Sequence, residues 1–186
     1  MSGENATGSL RATLWNALVL DANLYQSACN IPDNRRLALT IVIIAAVSRS
    51  LGSAVTLLIN RTALPLLVLE LLVGGISVVV GYYFWTFTIW KLGQWLSSNR
   101  LRYKDLLSPI GFAYAPQVLN FLTLIPLLGR PIELVLAAWS LLAVLVAVRQ
   151  GLDVNTTKGA LICIVGWLVI QVAIGFVQVF VQALLE

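Results

Sequence analysis

Histidine is absent from this 186-residue chain, cysteine occurs twice, and only 11% of the residues are charged. The missing histidine removes most general acid–base designs, most zinc sites and the usual Ser-His and Cys-His nucleophilic pairs. Cys29 and Cys163 stand far apart in the chain. Each reads as a small packing residue rather than as half of a disulfide. There is no glycine-rich phosphate loop, no Gly-x-Ser-x-Gly elbow and no carboxylate pair inside an apolar run. The sequence offers no catalytic residue, no cofactor site and no metal site, and a non-enzymatic role is expected. The scarcity of charge also argues against a soluble domain, in which about 25% of residues are charged.

What the chain has in their place is apolar length. Hydrophobic residues make up 59% of it, and its mean hydropathy is +0.90. Apolar runs cover roughly 37–59, 65–90, 107–128, 131–148 and 159–184. Each reaches, or nearly reaches, the ~20 residues that a helix needs to cross a bilayer core. A soluble fold of this length has no means of burying so much apolar surface. The expected fold class is all-α: a polytopic membrane bundle of five transmembrane helices over 37–186, preceded by a cytoplasmic or interfacial segment over 1–36.

Charge sets the expected orientation. Arg11, Arg35, Arg36, Lys91, Arg100, Arg102, Lys104, Arg149 and Lys158 fall on one side of such a bundle, and only Arg61 and Arg130 on the other. Basic residues collect on the cytoplasmic side, so the N-terminus is expected inside and the C-terminus outside. A pI of about 9.4 then reflects anionic headgroups rather than nucleic acid. Arg100, Arg102, Lys104, Arg149, Asp153 and Lys158 are the candidate contacts for lipids, a membrane-protein partner or a second copy.

In the N-terminal segment, Leu10, Leu14 and Leu18 share one helical face, and Trp15 and Arg11 suit an interface. Asp21 is placed to cap a second short helix carrying Leu24, Tyr25 and Ala28, and Asp33 to cap the first span. Residues 9–30 are expected to lie on the membrane surface as amphipathic helices.

Polar residues inside the runs are few. Arg49 falls near the middle of the first run, where a charge costs ~2.5–3.5 kcal/mol on insertion scales. Glu70 lies in the second run, and Gln171, Gln178 and Gln182 share one face of the fifth. Arg49, Glu70, Gln171 and Gln178 are the candidate intramembrane polar site. If a substrate cavity exists, it is expected to join Arg49 to Glu70 or Gln178. Small residues (Ala46, Ser50 and Gly52 in the first run, Gly74, Ser77 and Gly81 in the second) are expected to pack those two spans together. Pro116 is expected to kink the third.

Several stretches in the second half resemble one family. Gly111-Phe112-Ala113-Tyr114-Ala115-Pro116 is similar to the Gly-aromatic-small-x-x-Pro signature of Yip-domain proteins, the Ypt/Rab GTPase-interacting family. Trp139-Ser140-Leu141-Leu142, Ala147 to Asp153 and Thr156 to Ala160 resemble its fourth span, cytoplasmic loop and fifth-span entry. Leu20-Asp21 with Leu24-Tyr25 resembles the N-terminal part of its prokaryotic members. The resemblance implies five spans with the N-terminus inside, and a role in organising membrane or binding partners. The chain lacks the Asp-Leu-Tyr-Gly-Pro motif of eukaryotic members, which puts GTPase binding in doubt and points to a prokaryotic cytoplasmic membrane. The alternative is a small permease or channel subunit built around Arg49.

Overall fold

The computed structural model describes residues 10–29, 34–59, 64–96, 102–125 and 128–185. All regular structure among them is helical: α1 (Leu10–Leu18), α2 (Ala22–Ala28), α3 (Asn34–Ile59), α4 (Leu64–Leu96), α5 (Tyr103–Phe112), a 3-10 helix (Ala115–Leu124), α6 (Gly129–Leu152) and α7 (Thr156–Leu185). Two of the described stretches, Leu67–Trp95 and Gly129–Leu152, are long and apolar enough to cross a bilayer, and Thr156–Val169 is a shorter apolar helix. The expected all-helical class is thus met, while among the described residues the length and hydropathy of a full span are met twice rather than five times. Helices run past the apolar runs at several ends, because Lys91 and Gln94 continue the helix of the second run as readily as apolar residues do.

The helices alternate in direction. At one end Arg35 pairs with Asp105 at 3.6 Å, Gly93 abuts Leu152, and Gly151 abuts Leu106 and Cys29. At the other end Gly52 and Gly129 both abut Thr123. The buried core lies between α2, α3, α5 and α6, with Tyr25, Ile41, Ile110, Phe112 and Val148 all fully buried. α6 ends on Asp153 in the left-handed conformation, with the Val154 amide donating to the Arg149 carbonyl at 3.2 Å. Aspartate is among the few non-glycine residues that accept this geometry readily.

The third run departs furthest from the expected single kinked helix. α5 stops at Phe112, and from Ala115 the chain winds as a 3-10 helix with Pro116 in its first turn. Buried Ser48 of α3 acts on this segment directly. Its hydroxyl donates to the Val118 carbonyl at 2.7 Å and accepts from the Phe121 amide at 2.9 Å. Those two groups are three residues apart, the spacing that a 3-10 turn joins. The Ser48 side chain therefore bridges the turn and fastens it to α3. Ser48→Ala is expected to cost about 1–3 kcal/mol by stranding both backbone groups. Equilibrium unfolding in mixed micelles measures this, and an unchanged midpoint refutes the bridge.

The N-terminal helices are not free on a surface. All four terminal carbonyls of α1, the groups a helix end leaves without partners, are taken. Trp15 accepts from the Val19 amide (3.0 Å), Asn16 from the Asp21 amide (3.0 Å), Ala17 from the Leu20 amide (3.2 Å) and the Tyr25 hydroxyl (3.1 Å), and Leu18 from the Trp139 indole (3.1 Å). Leu20 makes the reversal at φ 60°, a left-handed position that is strained for leucine. Asp21 caps α2 by accepting from the Asn23 amide at 3.0 Å. Trp139 stands 13 residues above the end of α6 at Leu152, about 20 Å along its axis. The α1–α2 hairpin therefore reaches from the end of the bundle, where Cys29 abuts Gly151, to the middle of α6 at Trp139. Full satisfaction of α1's final carbonyls leaves no backbone acceptor at its end in need of a solvent partner. Asp33, the expected cap of α3, lies outside the described residues.

The expected small-residue contact between α3 and α4 is also rearranged. Gly74 and Gly81 face open space, and it is Gly75 that approaches Ser50. Gly52 faces the 3-10 helix. A one-residue offset on an α-helix turns a side chain by about 100°, so Gly74 and Gly81 point away from α3, while Ser50 keeps the expected contact by donating to the Leu71 carbonyl of α4 at 3.4 Å.

Candidate functional site: a polar cavity between three helices

Three elements enclose a cavity of about 440 Å³, each through its own periodicity. α3 contributes Arg49 and Gly52, one turn apart. The 3-10 helix contributes Gln117, Asn120 and Thr123. With three residues per turn, positions i, i+3 and i+6 lie one above another, so these polar side chains form a straight edge. An α-helix would fan the same three apart. α6 contributes Gly129, Arg130, Glu133, Leu136, Ala137 and Ser140, a single α-helical face.

Close backbone approach shapes the walls. A Cβ on Gly129 would sit 2.5 Å from the Thr123 carbonyl oxygen, and one on Gly52 would sit 3.2 Å from the Thr123 hydroxyl. The cavity runs from Arg130, near the start of α6, to Ser140, about 15 Å further along the helix axis. Beyond Ser140 the same helix face continues as Ala143, Val144, Ala147 and Val148, all buried, and closes the cavity.

Its charges are unmatched. Arg49, Arg130 and Glu133 are exposed. Among the described residues the one ion pair is Arg35–Asp105, so none joins these three. At the closed end the Ser140 hydroxyl is buried, in a residue only 8% exposed, and has no hydrogen-bond partner among the described residues. Buried hydroxyls are normally bonded, so one that is not calls for an explanation.

The sequence-derived site is only partly assembled here. Arg49 lines the cavity, but its companions are Arg130, Glu133 and the amides of the 3-10 edge. The side chains of Glu70, Gln171 and Gln178 lie outside the described part of the structure. Sequence patterning marks Arg130 only as a charge on the far side of the bundle, and Glu133 is an isolated carboxylate at the start of the fourth apolar run with no partner in sequence. The Gln-x-x-Asn-x-x-Thr spacing behind Pro116 was the available signal, and it gains meaning only once the segment is known to be a 3-10 helix.

The candidate cytoplasmic contacts gather at the other end. Arg102, Lys104, Arg149, Asp153 and Lys158 are all exposed, and Arg100 lies outside the described residues. Arg149 and Asp153 line one shallow polar cleft with Asn155, Thr156 and Thr157 at the α6–α7 turn. Cys29 packs beside Gly151 and has its thiol pushed up to about 11 by burial, with the Asp105 charge adding to the rise. A thiol held protonated in this way is a weak nucleophile. Cys163 is buried on α7, and both cysteines are free.

An all-helical bundle with exposed apolar faces, two of whose described stretches are long and apolar enough to cross a bilayer, has the character of a helical membrane protein. The chain matches the Yip1 domain over residues 26–178 and belongs to that family. No curated protein matches it, and no solved structure does. The family match begins inside α2, so α1 lies outside the matched region, while Trp139, onto which it docks, lies within it.

Proposed function

We propose that this protein is a five-span, non-enzymatic member of the Yip1 family that organises membrane by binding at its cytoplasmic face. Its N-terminus lies inside, its C-terminus outside, and its membrane is the prokaryotic cytoplasmic membrane. The observation that carries this reading is the gathering of exposed cations at one end of an alternating bundle: Arg36, Lys91, Arg102, Lys104, Arg149 and Lys158. Each such cation near an anionic leaflet contributes about 1 kcal/mol of attraction. The ligands proposed for this face are anionic lipids together with a membrane-protein partner or a second copy. No GTPase is proposed.

Two measurements test it. Reporter fusions at Asn99 and at the C-terminus are expected to report opposite sides of the membrane, and the same side for both sinks the topology. Changing Arg102, Lys104, Arg149 and Lys158 together to Gln is expected to lower anionic-lipid retention and partner crosslinking at least tenfold. Equal retention by a folded variant refutes the binding face. The cavity around Arg49 favours a second reading, a small permease. The buried apolar residues beyond Ser140 on α6, Ala143, Val144, Ala147 and Val148, weigh against it. Solute flux in liposomes that Arg49→Gln abolishes without unfolding the protein would promote the permease.

A further inference from the structure

We infer that the cavity between α3, the 3-10 helix and α6 binds a phosphate-bearing ligand of headgroup size. This goes beyond the cytoplasmic-face reading and rests on the opposite end of the bundle. Two guanidinium groups, Arg49 and Arg130, share the cavity with one carboxylate, Glu133, and among the described residues none of the three is ion-paired. The site is therefore net positive. Guanidinium forks match phosphate oxygens two at a time, and they do so best where water is scarce. Arg49 lies on the middle of a long apolar helix, where an unaccompanied charge is expensive. An anion in the cavity removes that cost.

Neutral groups complete the cradle. The amides of Gln117 and Asn120 stand along one edge, and the unpartnered Ser140 hydroxyl supplies a donor at the closed end. A hydroxyl that is nine-tenths buried, lines the cavity and bonds nothing among the described residues fits a group that a ligand atom meets. At about 440 Å³ the space lies within the range of small-molecule sites and exceeds what one phosphate fills. The ligand is thus a phosphate carrying a polar substituent. Glu133 stands one turn from Arg130 and disfavours extra negative charge there.

The test uses the full-length protein in detergent, with three probes: short-chain phosphatidylglycerol, soluble glycerol phosphate, and diacylglycerol as the phosphate-free control. Binding is read by native mass spectrometry and by the rise in melting temperature. The phosphate-bearing probes are expected to bind and diacylglycerol is not. Arg49→Gln and Ser140→Val are each expected to weaken binding at least tenfold. Arg130→Gln, at an exposed position near the start of α6 where folding is not at risk, is expected to do the same. Glu133→Gln is expected to tighten phosphatidylglycerol, a change of sign that a purely structural role does not produce. Binding of glycerol phosphate as tight as that of the lipid assigns a soluble ligand, and binding of the lipid alone assigns a headgroup. The quadruple Gln variant of the cytoplasmic face should keep cavity binding, which separates failure of one reading from failure of the other. Binding unchanged in Arg130→Gln and Ser140→Val, or no binding of either phosphate probe, overturns the inference.

Discussion

Leucine in place of Gly111 is expected to cost about 3 kcal/mol or more and to leave the protein unable to hold its fold in mild detergent. Gly111 is fully enclosed where α5 crosses α3. A Cβ there would meet the Ala38 Cβ at 2.7 Å and the Ala38 backbone at 3.3 Å. Backbone has no rotamer to change, so the two helices must separate. Separation would pull Ile110, Phe112 and Ile41 out of contact in the most deeply buried part of the core. Gly111→Ala should fall between the two, because one methyl already overlaps Ala38. Tryptophan fluorescence melts and size exclusion measure both variants. A leucine variant that melts within a degree of the parent would show that α5 and α3 have room to spare.

Tyr25→Ala is expected to destabilise by about 3–5 kcal/mol, the range for truncating a large buried aromatic. Tyr25 is 0% exposed, and its hydroxyl donates to the Ala17 carbonyl at 3.1 Å. Truncation opens a cavity between α1, α2 and the core and frees that carbonyl. The hairpin should then undock, and protease sensitivity over 10–29 should rise in step with the lower melting temperature. Tyr25→Phe isolates the hydroxyl and should cost only about 1 kcal/mol. Surface helices held by lipid alone would give unchanged melts in detergent, which makes this variant a direct test of the docking.

The same residues show how far the sequence could be read. Apolar run length fixed the all-helical class, and it did so because lipid tolerates little else. The Asp21 cap was readable because a cap is local: one side chain, one amide, two residues apart. The docked hairpin was not readable. The Trp139–Leu18 bond spans 121 residues, and nothing in a periodic pattern encodes such a partner. The cavity was hidden for a different reason. Gln117, Asn120 and Thr123 align only at three residues per turn, and the 3-10 winding coincides with a side chain from another helix, Ser48. The small-residue stripe held at Ser50 but missed the register on α4: Gly75 makes the contact expected of Gly74 and Gly81, and composition alone does not separate neighbours on a helix.

The Trp139–Leu18 bond also sets an order in time. The end of α1 leaves the ribosome early, yet the indole that satisfies its last carbonyl is made 121 residues later. At 5–20 residues per second that delay is roughly 6–24 s. During this interval α1 has an unsatisfied carbonyl and belongs at the water-facing surface of the membrane, where solvent can fill it. Burial of the hairpin is therefore a late step in biogenesis. Until α6 is in place, the N-terminal helices are exposed to chaperones, proteases and any partner that recognises their leucine face.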